Sequence, residues 1–230
     1  AEKARTSVAF KVQRPVTIKT QPRDLEKEIK LPIDVSEFEA NFSWSCVPSL
    51  VEKAYLQATI KNTKEGLHML PGNCSVFLDN NYVTSTKIGK VLSGESFDVA
   101  LGVDESIKIE HIPEREMATS TGVLGRKNLK TIQQVAKMEN HKTIPIVMSM
   151  LLQVPKSSNS NLKVQTISPP KTDIINMLEN EIPEDAKSLS PGFYLQRDGN
   201  IRWIKKLASG KKTEQKVIYT LEYPKGYVVQ

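Results

Sequence analysis

In 230 residues the sequence carries 32 Lys and Arg against 26 Asp and Glu, a net charge of +6, with 39% hydrophobic and 25% charged residues. A globular chain of this length buries roughly 70–75% of its unfolded surface, so it needs neither disulfides nor metals to fold. No apolar run approaches the roughly 20 residues that cross a bilayer as a helix, which excludes a helical membrane protein. The first residue is Ala1 and no charged-then-apolar signal region follows, so the sequence reads as a piece of a larger protein.

Period-two alternation, which a half-buried strand requires, dominates the chain. Phe38, Ala40, Phe42, Trp44 and Cys46 share one face, opposed by Glu39, Asn41, Ser43 and Ser45. Ala54, Leu56, Ala58 and Ile60 repeat the beat, followed by Cys74, Val76 and Leu78. Asp79-Asn80-Asn81 then joins two β-rich runs, since Asn tolerates the left-handed backbone of a tight hairpin. Phe97, Val99 and Leu101 form the next strand, and Ile107 and Ile109 the one after. The segment 123–134 is ambiguous, with strand resuming around Val135. The longest run sets Ile144, Ile146, Met148, Met150, Leu152 and Val154 along one side.

Between Pro169-Pro170 and Pro183, residues Thr172 to Asn180 predict a short helix in a long loop. Ile174, Ile175 and Leu178 have helical spacing there, and Thr172 can cap the start. Ile201 and Trp203, then Val217, Tyr219, Leu221 and Tyr223, close the pattern. Pro71-Gly72, Ser93-Gly94, Arg197-Asp198-Gly199-Asn200 and Ser209-Gly210 punctuate it. Many short strands between such turns predict an all-β fold, an antiparallel β-sandwich of two packed lobes, residues 1–115 and 116–230. The boundary falls in 112–127, which reads equally as a long hairpin inside one domain covering 10–229.

Signatures of catalysis are absent: no phosphate loop, dinucleotide fingerprint, nucleophile elbow, zinc-protease helix or paired CxxC. Of three histidines, His68 sits in a loop, His111 continues the apolar beat of Ile107 and Ile109, and His141 falls in a solvated turn. Asp98, Asp104, Glu105 and Glu110 cluster in sequence, with Asp98 and Glu110 pointing away from the core. Asp104 is expected to hold a turn through side-chain-to-backbone hydrogen bonds. No catalytic, cofactor-binding or metal-binding residue is therefore assigned.

Cys46 and Cys74 are in phase with apolar neighbours, as small buried hydrophobes, or as a disulfide if the protein is secreted. Two glycosylation triplets, Asn41-Phe42-Ser43 and Asn73-Cys74-Ser75, are of the kind that arises often by chance. The densest basic stretch comprises Arg202, Lys205, Lys206, Lys211, Lys212 and Lys216. Its one aromatic, Trp203, lies on the apolar beat, so we expect a solvated strand face and no nucleic-acid partner. Cytoplasm is the default compartment.

The run LPGNCSVFLDNNYVTSTKIGKVLSGESFDVALGVDESIKIEH carries Leu70-Pro71-Gly72, Ser93-Gly94 and Leu101-Gly102-Val103-Asp104 in order. Upstream stand Cys46-Val47-Pro48 and AYLQATIKN, an Ala-rich strand before an Asn. Downstream are LLQVPKSSNSNLKVQTISP, GNIRWIKKL and KVIYTLEYPKGYVV. In combination these resemble the C-terminal domain of unknown function of mucoidy-inhibitor-A-like proteins, found in bacteria and many eukaryotes, over about residues 10–229. Lys156 and a long 169–191 loop depart from that pattern. The resemblance implies an N-terminal domain and a coiled coil ahead of this part in full-length relatives. It transfers no catalytic residues, because Pro71, Gly72, Gly94, Gly102 and Asp104 are turn formers.

The expected function is a non-catalytic protein-interaction or scaffold module, holding a protein partner at a sheet edge or groove. Two other classes stand beside it. One is a hydrolase with a carboxylate-containing site in an inter-lobe groove; the other is a structural component of an envelope or extracellular assembly.

Overall fold

The structure, a computed structural model, describes residues 2–4, 7–9, 15, 32–121, 127–176, 191–196 and 198–227. Its described residues are all-β. A short pair, β1 (Glu2–Ala4) and β2 (Ser7–Ala9), opens the chain. β3 (Ala40–Val47), β4 (Val51–Lys61) and β7 (Ser96–Val103) belong to a seven-stranded sheet with β10 (Ile146–Leu152), β12 (Ile174–Asn176), β13 (Gly192–Leu195) and β14 (Ile201–Leu207). Its order is β12-β13-β14-β10-β3-β4-β7. A four-stranded sheet runs β11 (Lys163–Ser168), β15 (Lys212–Pro224), β9 (Lys127–Asn140) and β8 (Ile107–Thr121). A separate hairpin pairs β5 (Gly72–Leu78) with β6 (Asn81–Ile88).

The alternation read from sequence is the alternation of burial over most of these strands, but Phe42, expected on the buried face of β3, is 40% exposed and Ser43, expected opposite it, is buried. Trp44, Cys46, Ala54, Leu56, Ala58, Val99 and Leu101 of the large sheet are buried in one cluster with Ile109, Met138, Val217, Tyr219 and Leu221 of the small one. β10 lies deepest, because β14 and β3 flank it on both sides and Ile146, Met148, Met150 and Leu152 are all buried. Each such side chain contributes roughly 1.5–3 kcal/mol. Ile144, placed by sequence on the same face, lies before β10 and is half exposed.

Two expectations are corrected. The sandwich is not wholly antiparallel: β10 runs parallel to β3, with Met148 beside Trp44, and β12 runs parallel to β13. A parallel neighbour needs a long crossover, and the strands between β3 and β10 supply one. Second, the helix expected over Thr172 to Asn180 does not continue past Asp173 where described. A single 3-10 turn over Lys171–Asp173 passes directly into β12, where Ile174 and Ile175 pair with Phe193 and Tyr194. These β-branched residues fit a ladder better than a helix; Leu178 lies outside the described residues. Positions 115 and 116 are consecutive in β8, just past a β-bulge between Ile112 and Arg115. The large sheet draws strands from both sides of that position.

Gly102 explains how β7 packs against the β5–β6 hairpin. Tyr55 pairs with Val103 but Gln57 with Ala100, so β7 carries a bulge there. Gly102 adopts φ +80°, and a Cβ added to it would lie 3.3 Å from Val83 of β6. Only glycine takes that backbone without strain and lets the β5–β6 hairpin pack close.

Three chain passages between the sheets meet at one end: β7 to β8, β9 to β10, and β14 to β15. Asn140, wholly buried, ties the last two. Its Nδ2 donates to the carbonyls of Ile144 (2.9 Å), Leu207 (3.3 Å) and Ala208 (3.1 Å), and its Oδ1 accepts from the Lys142 amide (2.9 Å). Its own amide donates to Lys211 O at 3.0 Å, while the His141 amide donates to Ser106 O at 2.9 Å. Asn62 does similar work at the end of β4, donating to Leu67 O (2.8 Å) and Leu92 O (3.1 Å).

Because unsatisfied buried carbonyls cost about 1–3 kcal/mol each, Asn140→Ala should lose about 3 kcal/mol in urea unfolding. Exposed His141→Ala should stay within about 0.5 kcal/mol. A loss below about 1 kcal/mol at Asn140 would remove its role as the tie.

Candidate functional site

Asp104, the carboxylate that the sequence reading assigned to a turn, does hold one: its Oδ1 accepts from the Ser106 amide at 3.0 Å. It also does more. Its Oδ2 accepts from Trp44 Nε1 and from Lys142 Nζ, both at 2.8 Å, and the Lys142 ammonium stands 5.8 Å from the Trp44 ring centre. The Asp104 side chain is only 9% exposed. Burial pushes its carboxyl up, but the hydrogen bonds from Lys142, Trp44 and Ser106 outweigh burial and hold it below the usual carboxylate range. Trp44 of the large sheet, the β7–β8 corner and the β9–β10 corner are thereby joined through one carboxylate.

The neighbouring carboxylates do not converge on it. Asp98 is exposed on β7 and accepts from Thr59 Oγ1 at 2.6 Å. Glu105 pairs with Lys53 at 2.7 Å, and Glu110 faces Lys137 at 3.7 Å on the outer side of β8. The sequence cluster is therefore dispersed over separate faces. Among the described residues no group of three His, Cys, Asp or Glu is arranged to hold a metal ion.

His141 is exposed, with Nε2 3.4 Å from Glu139. His68 Nδ1 and His111 Nε2 are buried without a hydrogen-bond partner. His111 lines a cavity of about 10 Å³ with Ser49, Gln134 and Gln153, room for a single water and too small for a substrate. Ser49 Oγ donates to Gln153 Oε1 at 2.6 Å, so serine and histidine do not form a nucleophile–base pair. Beside them Glu114 accepts from Gln134 Nε2 (2.5 Å) and the Tyr219 hydroxyl (3.2 Å). Burial first, and the adjacent carboxylate second, push the Tyr219 phenol up to about 12.

Two surface features remain. The outer side of β8, β9 and β15 forms an open groove of about 410 Å³. Cross-strand register sets Lys108, Glu139 and Lys212 in one row and Glu110, Lys137 and Glu214 in the next. Lys212 meets Glu139 at 2.8 Å, and its hydrogen bond holds the Glu139 carboxyl below the usual range. These charges neutralise one another, as cross-strand pairs do on a solvated face.

The second feature is the β5–β6 tip. Asp79 and Asn80 take φ 49° and 63°, the left-handed pair that a two-residue hairpin loop requires. Flanking that loop, Phe77 is 60%, Leu78 36% and Tyr82 59% exposed, with the two rings edge-to-face at 5.7 Å. Sequence alternation had assigned Leu78 to the buried face; a bulge between Val76 and Phe77 turns the tip outward.

The basic stretch is largely occupied. Arg202 Nε and Nη2 reach Gln196 Oε1 at 2.9 Å once that amide is oriented to accept, Lys205 lies over the Trp203 ring, and Lys216 faces Glu214. Trp203 is buried, as its place on the apolar beat implied. Asn140, Lys142 and Asn62 were missed by sequence reasoning. The available signal was that each Asn closes a long alternating run.

Both cysteines are unbonded, and burial pushes the Cys46 thiol up to about 12. Iodoacetamide on the native protein at pH 8 should therefore modify half-buried Cys74 and spare Cys46, as read by peptide mass spectrometry. Equal labelling would mean that the Cys46 strand opens.

Since folding lowers the Asp104 pKa, its contribution is present above the unfolded value of about 3.9 and is lost as pH falls through the folded value. Asp104→Asn should lower the urea midpoint at pH 7, and the gap to wild type should shrink below pH 4. A gap that does not change with pH would show that the ionised form is not what binds Lys142 and Trp44.

A family model described as a domain of unknown function (DUF4139) matches residues 2–225. Protein F37C4.5 of Caenorhabditis elegans is 27% identical over 217 residues, covering 94% of this chain and 36% of that protein. The chain thus spans about a third of that curated relative's length. No solved structure matches it. The family match runs from β1 to the end of β15, through the bulge at Gly102 and the corners that meet at Asn140 and Asp104, and the chain belongs to this family of domains of unknown function, DUF4139.

Proposed function

We propose that this domain is a non-catalytic protein-interaction module of a larger protein, and that the β5–β6 tip is its contact element. The observation that carries the proposal is the cluster of Phe77, Leu78 and Tyr82, exposed together on a well-anchored hairpin. Val76 is buried beneath it and Val83 packs against the main core, so the tip is presented on a fixed base. Clustered exposed apolar side chains mark interaction sites, and aromatic anchors dominate interface energetics. Asp79 is the only charged residue between Asn73 and Thr86, which suits a partner pocket that is apolar with a basic rim.

The resemblance to mucoidy-inhibitor-A-like proteins supports the modular reading, since it sets this part behind an N-terminal domain and a coiled coil. The relative's greater length agrees with that arrangement. The unbonded cysteines support a reducing compartment, and we place the domain in the cytoplasm.

Phe77→Ser/Tyr82→Ser in the full-length protein should strip the specific partners recovered by quantitative cross-linking, while the unfolding midpoint changes by less than about 0.5 kcal/mol equivalent. Recovery of the same partners at unchanged yield would reject the tip as the contact element.

A further inference from the structure

β8 ends the four-stranded sheet and, among the described residues, pairs only with β9. On its other side the chain supplies its own acceptors. The Ile107 amide donates to Asp104 O at 3.2 Å, and the His111 amide donates to Glu52 Oε1 at 2.6 Å. Alternate residues of a strand present N–H and C=O to the same side, so Ile107, Ile109 and His111 all face this edge. Glu52 stands near the start of β4, which is laced to the same corner. Lys53 Nζ meets Glu105 at 2.7 Å, and Ala54 O accepts from the Asp104 amide at 2.9 Å.

We propose that Glu52 guards the β8 edge, holding closed a strand-addition site whose occupant is the β8 edge of a second copy of this chain. The guard and an added strand compete for the same amide. In an antiparallel pair centred on Ile109, Ile107 faces His111 and Lys108 faces Glu110, twice over by symmetry. The first pairing needs the two amides now held by Asp104 and Glu52. The second puts opposite charges at the close, non-hydrogen-bonded positions, about 4.5 Å apart. Sliding the register by one hydrogen-bonded step sets either Lys108 against Lys108 or Glu110 against Glu110. Lys108-Ile109-Glu110 therefore selects one self-pairing register, and wild-type Glu52 disfavours it. The proposal is independent of the β5–β6 tip, because β5 and β6 contribute nothing to this edge.

Sedimentation velocity over a concentration series tests it on the purified chain. Wild type and Glu52→Gln, which keeps a carbonyl acceptor, should remain monomeric where Glu52→Ala dimerises. Adding Lys108→Glu to Glu52→Ala should abolish the dimer, and adding Lys108→Glu with Glu110→Lys should restore it. A folded Glu52→Ala protein that stays monomeric overturns the proposal, as does a dimer indifferent to Lys108→Glu. If Glu52→Ala does not fold, wild type still decides. Its His111 amide should exchange with deuterium at least about tenfold more slowly than an open amide, and exchange at the open rate overturns the guard.

Discussion

Everything in this fold turns on the requirement that a buried polar group find its partners. Three passages carry the chain from one sheet to the other at the same end, and their backbone groups must be satisfied where they meet. Asn140 gives one side chain to two of them, donating to Ile144 on its own passage and to Leu207 and Ala208 on the β14–β15 passage, while the next amide, that of His141, reaches Ser106 on the third. Asp104 then adds a charged link, gripping Trp44 on one sheet and Lys142 on the turn that leaves the other. Remove the satisfaction of these groups and the sheets keep their apolar faces but lose the geometry that sets one against the other.

That arrangement separates what makes the domain stable from what it offers outward. The perturbed carboxylate of the interior is consumed in structure, with both oxygens occupied, and the sequence-adjacent acids point to solvent on separate faces. A perturbed carboxyl in a cleft is a frequent mark of an active site. Here the same shift comes from a corner clamp whose partners are an indole, an ammonium and a backbone amide. Outward, the molecule presents a self-neutralised charged groove, an aromatic hairpin tip and one long strand edge.

Strand positions were legible where period two leaves few alternatives, as on the buried faces through Trp44, Ala54, Met148 and Val217, whereas residues 127–134, ambiguous in the sequence, are the first half of β9. Less legible was which strand neighbours which. The parallel contact of β3 with β10 joins segments with nothing local in common, and no turn announces it. The Thr172 segment misled because two isoleucines satisfy helical spacing and a ladder equally well, and only the presence of β13 decides. Asn140 looked like turn chemistry, as polar residues between strands usually are; its burial depends on Leu207 and Ala208, far along the chain. Glu52 was silent for the same reason, since its partner amide lies on another sheet.

The parallel β3–β10 contact also has a consequence for synthesis. β3 leaves the ribosome about a hundred residues before β10, and β14 follows later still. At roughly 5–20 residues per second β3 waits about 5–20 seconds, and the finished β3–β4–β7 half about 2–9 seconds, with one flank of β3 unpaired. Translation thus leaves a sticky intermediate that must be tolerated or shielded until the centre of the large sheet arrives. Selection on codon speed and chaperone access should therefore bear most heavily on the stretch that follows β7.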